Sequence, residues 1–78
     1  MMARFLFVLR NEDVGSATRC FQLAKVAHSK KHAVNLFFID DGVLWADSSR
    51  DFNAKSATGD RPNDYFPYLV ENEVLIGV

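Results

Sequence analysis

Ala3-Arg4-Phe5-Leu6-Phe7-Val8-Leu9 and Ala33-Val34-Asn35-Leu36-Phe37-Phe38-Ile39 decide how this chain is read. Both runs are short, mostly apolar and rich in aromatic and branched residues, the composition of strands buried on both faces. The chain between them has room for one helix. Ser16 suits its N-cap, and the helix is expected to run to about Lys31. Ala17, Cys20, Phe21, Ala24 and Ala27 fall on one stripe, widened by Leu23 and Val26, with Thr18, Gln22, Lys25 and Ser29 opposite. His28, Lys30 and Lys31 stand in the last turn, where cations suit the helix dipole. Strand, helix and strand in this order imply parallel strands joined by right-handed crossovers.

Working outward, Asp40-Asp41-Gly42 reads as a turn and Val43 to Ala46 as a short helical turn. Asp47 to Pro62 has the composition of a surface loop and, at about 16 residues, is longer than most connections in compact domains. It reads as a mobile segment or a lid. Asn63 or Asp64 can cap a short helix that holds Pro67 in its first turn and packs through Tyr65, Phe66, Tyr68, Leu69 and Val70. Glu71-Asn72-Glu73 then turns the chain into a third strand, Val74 to Val78.

That last strand is apolar to its final residue, where a parallel strand normally passes into a loop on the ligand-binding edge. A carboxylate ending a buried strand is costly. The expectation is therefore the N-terminal portion of a larger α/β domain. A strand order of 3-2-1 puts both helices on one sheet face, leaving the other for downstream helices or a partner subunit. An order of 2-1-3 puts the helices on opposite faces.

The bulk composition narrows the function classes. The 78 residues, 49% of them hydrophobic and including seven Phe, make one small globular domain, residues 1–78. A net charge of −1 with scattered charges provides no nucleic-acid footprint. No segment approaches the ~20 apolar residues of a membrane span, and no signal-peptide layout is present. A single cysteine excludes an internal disulfide and suits a reducing compartment, so a cytoplasmic protein is expected.

Candidate chemistry gathers at the carboxyl ends of the first two strands. Asn11, Gly15, Ser16 and Thr18 line the entry to the long helix, where backbone N–H groups can receive an anion. An ordinary capped helix is the preferred reading, since neither standard glycine-rich nucleotide motif is present. Asp40, Asp41 and Gly42 can hold Mg²⁺ or a ribose hydroxyl, or serve as a turn, which is preferred. Trp45 fits equally a core aromatic and a pocket wall. Cys20 lies within the apolar stripe and reads as a core residue, because burial makes a thiol a poor nucleophile. His28 and His32 lack a third ligand for a metal. No metal, cofactor or catalytic residue is assigned.

Ser16-Ala17-Thr18-Arg19-Cys20-Phe21-Gln22-Leu23-Ala24-Lys25, followed by Val34-Asn35-Leu36-Phe37-Phe38-Ile39-Asp40-Asp41-Gly42-Val43, resembles the DsrE/DsrF-like proteins. That group includes the TusD-type sulfur-relay subunits and the YchN-like proteins. The long loop, the short helix and the Val-Leu-Ile-Gly-Val strand also fall where the family has them, so the chain corresponds to the N-terminal two thirds of a family domain. The resemblance implies a three-layer α/β/α fold with a parallel sheet and the 3-2-1 order. It further implies a trimer or hexamer, formed with itself or with related subunits, and sulfur donor and acceptor proteins as partners. In sulfur-transfer members a cysteine shortly after the third strand carries a persulfide. That position lies beyond Val78, and Cys20 does not match it, so these 78 residues by themselves are expected to be non-catalytic. The rival expectations are a non-catalytic module for a small ligand or partner, using the edge formed by Asn11 to Thr18 and Asp40 to Trp45, and a phosphate- or Mg²⁺-dependent enzyme.

Overall fold

The computed structural model describes residues 3–47 and 49–78. Strand β1 (Arg4–Leu9), helix α1 (Val14–Ser29) and strand β2 (Ala33–Phe38) come first. A 3₁₀ helix (Asp40–Ala46), the long loop and a second, short 3₁₀ helix (Pro62–Asp64) follow, and helix α2 (Phe66–Glu71) and strand β3 (Leu75–Gly77) complete the order. Of the loop predicted over 47–62, Ser48 lies outside the described residues, as do Met1 and Met2 of the domain. The fold is of the α/β class with a three-stranded parallel sheet. Its order is β1-β2-β3, which is 3-2-1 counted from the opposite edge. Arg4 to Leu9 pair with Ala33 to Phe38, and Asn35 to Phe37 pair with Leu75 to Gly77.

Helix α1 begins before the predicted cap. Asp13 takes that role, its Oδ2 accepting the Ser16 N–H at 2.9 Å, so Gly15 and Ser16 lie inside the first turn. A carboxylate at this position satisfies a free N–H and meets the positive end of the helix dipole. Lys30 is the C-cap of the helix, and the next residue, Lys31, adopts a left-handed φ of 67°, while the His32 N–H donates back to the Ala27 carbonyl at 3.2 Å. That is the Schellman-type closure with a lysine in the place glycine usually takes.

Alternate residues of the strands separate the two faces of the sheet. Leu9, Val34, Leu36 and Phe38 are buried beneath α1, which also packs against α2. Both helices therefore lie on one face, as the 3-2-1 order requires. On the other face Leu6, Val8, Phe37 and Leu75 are open, Leu6 at 61% and Leu75 at 64%. As the 3-2-1 order anticipates, the described residues build one helical layer, and the second sheet face has no cover among them. Leu23 and Val26, predicted to widen the buried stripe, are exposed, whereas Thr18, predicted on the solvated face, is wholly buried. The helix is rotated so that Ala17, Thr18, Phe21, Ala24 and Ala27 face inward, and this brings small side chains against the sheet and α2.

Phe21 is the centre of the core. Its ring meets those of Phe66 at 4.8 Å, Phe38 at 6.1 Å, Trp45 at 6.2 Å and Phe52 at 6.5 Å between centroids. These separations and mutual tilts are the arrangements aromatic quadrupoles favour.

Candidate functional site

The parallel strands send the β1–α1 loop, the first 3₁₀ helix and the end of β3 to one edge, the edge at which open α/β sheets bind ligands. The 3₁₀ helix approaches β1 closely because Gly42 has no side chain: a Cβ there would overlap the Leu9 carbonyl. The turn into this helix passes through Asp40, whose φ of 49° is a conformation that Asp tolerates better than most residues. Asp40 Oδ2 sits 3.3 Å from Arg10 Nη2 in an exposed pair, and Asp41 faces solvent.

The residues of the predicted helix-entry site are dispersed. Asn11 is exposed, and the donors of Ser16, its N–H and Oγ, both go to the Asp13 carboxylate at 2.9 and 3.2 Å. That carboxylate occupies the position an anion would take. Thr18 is turned into the interior, where its Oγ1 has no hydrogen-bond partner among the described residues.

Trp45 fulfils both of its alternative roles. It is 1% exposed in the core, and it also forms a wall of a cavity. Its Nε1–H donates to the Glu12 carbonyl at 3.0 Å, and Arg50 lies over the indole at 4.9 Å while donating to the same carbonyl at 3.0 Å. The loop after β1, the 3₁₀ helix and the long loop thus converge on one backbone oxygen.

The cavity measures about 440 Å³ and is lined by Phe38, Trp45, Ala46, Phe52, Asn63, Phe66, Ile76 and Val78. Of the predicted site residues, Trp45 alone reaches it. Phe52 stands edge-on to Trp45 at 5.2 Å and tilted on Phe66 at 5.1 Å. Phe52 was open to detection in the sequence as the lone aromatic in an otherwise polar loop. Phe66 and Ile76 read only as packing residues of a helix and a strand, and Asn63 only as a cap.

In place of a free-standing lid, the long loop is anchored. Asp60 accepts hydrogen bonds from Thr58 Oγ1 at 2.8 Å, Tyr65 Oη at 2.7 Å and Ser56 Oγ, and pairs with Arg19 of α1 at 3.1 Å. The Ser56 hydroxyl, then Tyr65, Thr58 and Arg19, hold the Asp60 carboxyl far below the usual carboxylate range. The same contact pushes the Tyr65 phenol up, because the proton it donates to Asp60 is harder to lose. Beyond Asp60, Asp64 accepts from the Arg61 N–H at 2.8 Å and from its guanidinium, which lowers its carboxyl as well.

Cys20 is half-buried, and desolvation pushes its thiol up to about 11. The two histidines serve separate partners. His28 Nδ1 meets Tyr68 Oη at 2.9 Å, and His32 Nδ1 accepts the Ala3 N–H at 2.9 Å.

No curated protein and no solved structure matches this chain at a significant level. The model of the DsrE/DsrF-like family matches residues 3–78, every described residue included. The helix carrying Arg19 and the Asp40-Asp41-Gly42-Val43 turn are the most specific parts of the resemblance, and by this match the chain belongs to the DsrE/DsrF-like family.

Proposed function

We propose that this chain is a cytoplasmic component of sulfur relay, working through a persulfide-carrying cysteine placed after β3 and beyond Val78. The family match over residues 3–78 is the observation that carries this reading. The chemistry of Cys20 supports the assignment of the carrier elsewhere. A relay thiol must be exposed and partly ionised near neutral pH, whereas Cys20 is half-buried with its thiol pushed up to about 11. In the proposed step the carrier thiolate attacks the outer sulfur of a donor persulfide. A new S–S bond forms, the donor S–S bond breaks, and the donor leaves as its own thiolate, so no net oxidation or reduction occurs.

The proposal includes assembly into a homotrimer, a homohexamer or an oligomer of related subunits, which brings donor and acceptor proteins to the same edge. The uncovered apolar sheet face is in keeping with such association. The test is persulfide labelling of the protein expressed from its complete reading frame, followed by mass spectrometry. The expected result is one persulfide on a cysteine after β3, with Cys20 unlabelled. A label on Cys20, or none on any cysteine, overturns the reading.

A further inference from the structure

A second concave surface, a groove of about 360 Å³, lies on the helical side of the sheet where α1 passes β1. Phe5 and Phe7 of β1 form one wall, and Leu23, Val26 and Ala27 of α1 form the other. Lys30 and His32 complete the lining, where α1 ends at the amino edge of the sheet. Every lining residue lies between Phe5 and His32, so β1, α1 and the turn into β2 set the composition of the groove. It flanks the sheet edge opposite β3. Its walls present surface: Phe5 and Val26 are 42% exposed and Leu23 is 50% exposed.

The polar chemistry of the groove is confined to one end and has one sign. Lys30 takes part in no ion pair among the described residues. His32 Nδ1 accepts the Ala3 N–H at 2.9 Å, so the neutral ring carries its proton on Nε2 and has that donor to spare. An edge contact with Phe5, at 5.2 Å between centroids, holds the ring in place. No Asp or Glu lines the groove, and none occurs within α1. The carbonyls at the helix end, which would repel an anion, are already engaged. Those of Val26, Ala27 and His28 accept the N–H groups of Lys30, His32 and Lys31. Two donors, one of them charged, match the two oxygens of a single carboxylate. From Leu23 to Lys30 the helix advances about 10 Å, at roughly 1.5 Å per residue, which gives an alkyl chain an apolar wall to lie along.

We infer that this groove binds a medium-chain alkyl monocarboxylate, with its carboxylate against Lys30 and His32 and its chain along Phe5, Phe7, Leu23 and Val26. Burial of the chain supplies the affinity, and Lys30 selects the sign of the head group. The inference does not rest on the sulfur-relay reading, whose carrier belongs to the opposite, carboxyl edge of the sheet.

Octanoate is the probe, titrated into isotope-labelled protein expressed from its complete reading frame and followed by NMR of the amides and of the His32 ring. The expected result is saturable one-to-one binding, with shifts centred on residues 5–7 and 23–32. Octylamine and octanol, which carry the same chain without the anion, bind about tenfold more weakly or worse. Lys30→Glu, at an exposed position, weakens octanoate about tenfold or more with native circular dichroism. Leu23→Ser, also exposed, weakens octanoate and octanol alike. Leu6→Lys, on the uncovered sheet face, leaves octanoate binding unchanged. Absence of saturable binding, as when another part of the complete protein fills the groove, overturns the inference. So do shifts centred elsewhere, an affinity for octylamine equal to that for octanoate, or an unchanged affinity in Lys30→Glu.

Discussion

Arg19 on α1 and Asp60 in the long loop stand 41 residues apart in the chain and 3.1 Å apart in space. Arg19 also reaches Thr58 Oγ1 at 2.9 Å and Gln22 Oε1, so one guanidinium ties the loop to two successive turns of the helix. The loop carries Phe52 into the aromatic cluster, and Arg50 and Asp60 secure it on either side. A segment that reads as mobile from composition is therefore part of the core's enclosure.

Asp60→Asn removes the charge that Ser56, Thr58, Tyr65 and Arg19 converge upon. Trypsin is expected to cut the variant faster than the wild type after Arg50 or Lys55 of the loop, with little change in the helices. The pH dependence has a definite sign. The folded-state pKa of Asp60 is depressed, so its stabilisation is fully present above the unfolded value of roughly 3.9. It is lost as pH falls from there toward the folded value. Wild-type loop protection should therefore fall in acid below about pH 4, while Asp60→Asn shows a flatter dependence over the same interval. Hydrogen exchange of the loop amides read against pH checks this.

Gly42→Ala puts a methyl group into the Leu9 carbonyl, which belongs to backbone and cannot move without disturbing β1. The expected loss is about 1–3 kcal/mol, the usual cost of overpacking a tight site. Urea denaturation of the variant beside the wild type measures it. An unchanged midpoint would contradict the close approach.

Phe21→Ala removes the ring at the centre of the aromatic cluster. The cost is about 3–5 kcal/mol, a large share of the stability of a domain this small. Trp45, which meets that ring at 6.2 Å, should report the loss as a red-shifted emission.

Cys20 should resist thiol reagents at neutral pH in the native state and react readily in urea. The native rate should rise with pH as the thiol ionises toward its raised pKa of about 11. A native rate equal to that of a free thiol at pH 7 would contradict the burial seen here.

Much of this fold is written in local pattern. Two apolar runs separated by one helical stretch require a parallel pair, because so short a crossover permits little else. The third strand and the short helix with Pro67 in its first turn are legible in the sequence, but the predicted cap is corrected: Asn63 and Asp64 belong to the preceding 3₁₀ helix, and Tyr65 stands at the N-cap of α2 with no side-chain cap bond. The family was legible in the helix that carries Arg19 and in the Asp40-Asp41-Gly42-Val43 turn. The helix start was misjudged because Asp13 and Ser16 are both capable caps, and only the hydrogen bond from Ser16 N–H to Asp13 identifies which one acts.

The candidate site was less legible, for a physical reason. Which residues line a cavity depends on contacts between elements distant in the chain, and local periodicity carries no information about those. Thr18 has the polarity of a solvated residue, yet the rotation of α1 against the sheet and α2 buries it. Phe52 has no helical or strand neighbours to mark it as a core residue, but Arg19 and Asp60 hold its loop against the rings of Phe21, Trp45 and Phe66. The amino-acid sequence by itself determined the element order, the parallel sheet and the family, since these follow from short-range pattern. The position and the chemical character of the cavity were decided only by tertiary packing, which brings Trp45, Phe52, Phe66 and Ile76 from four separate parts of the chain to one edge of the sheet.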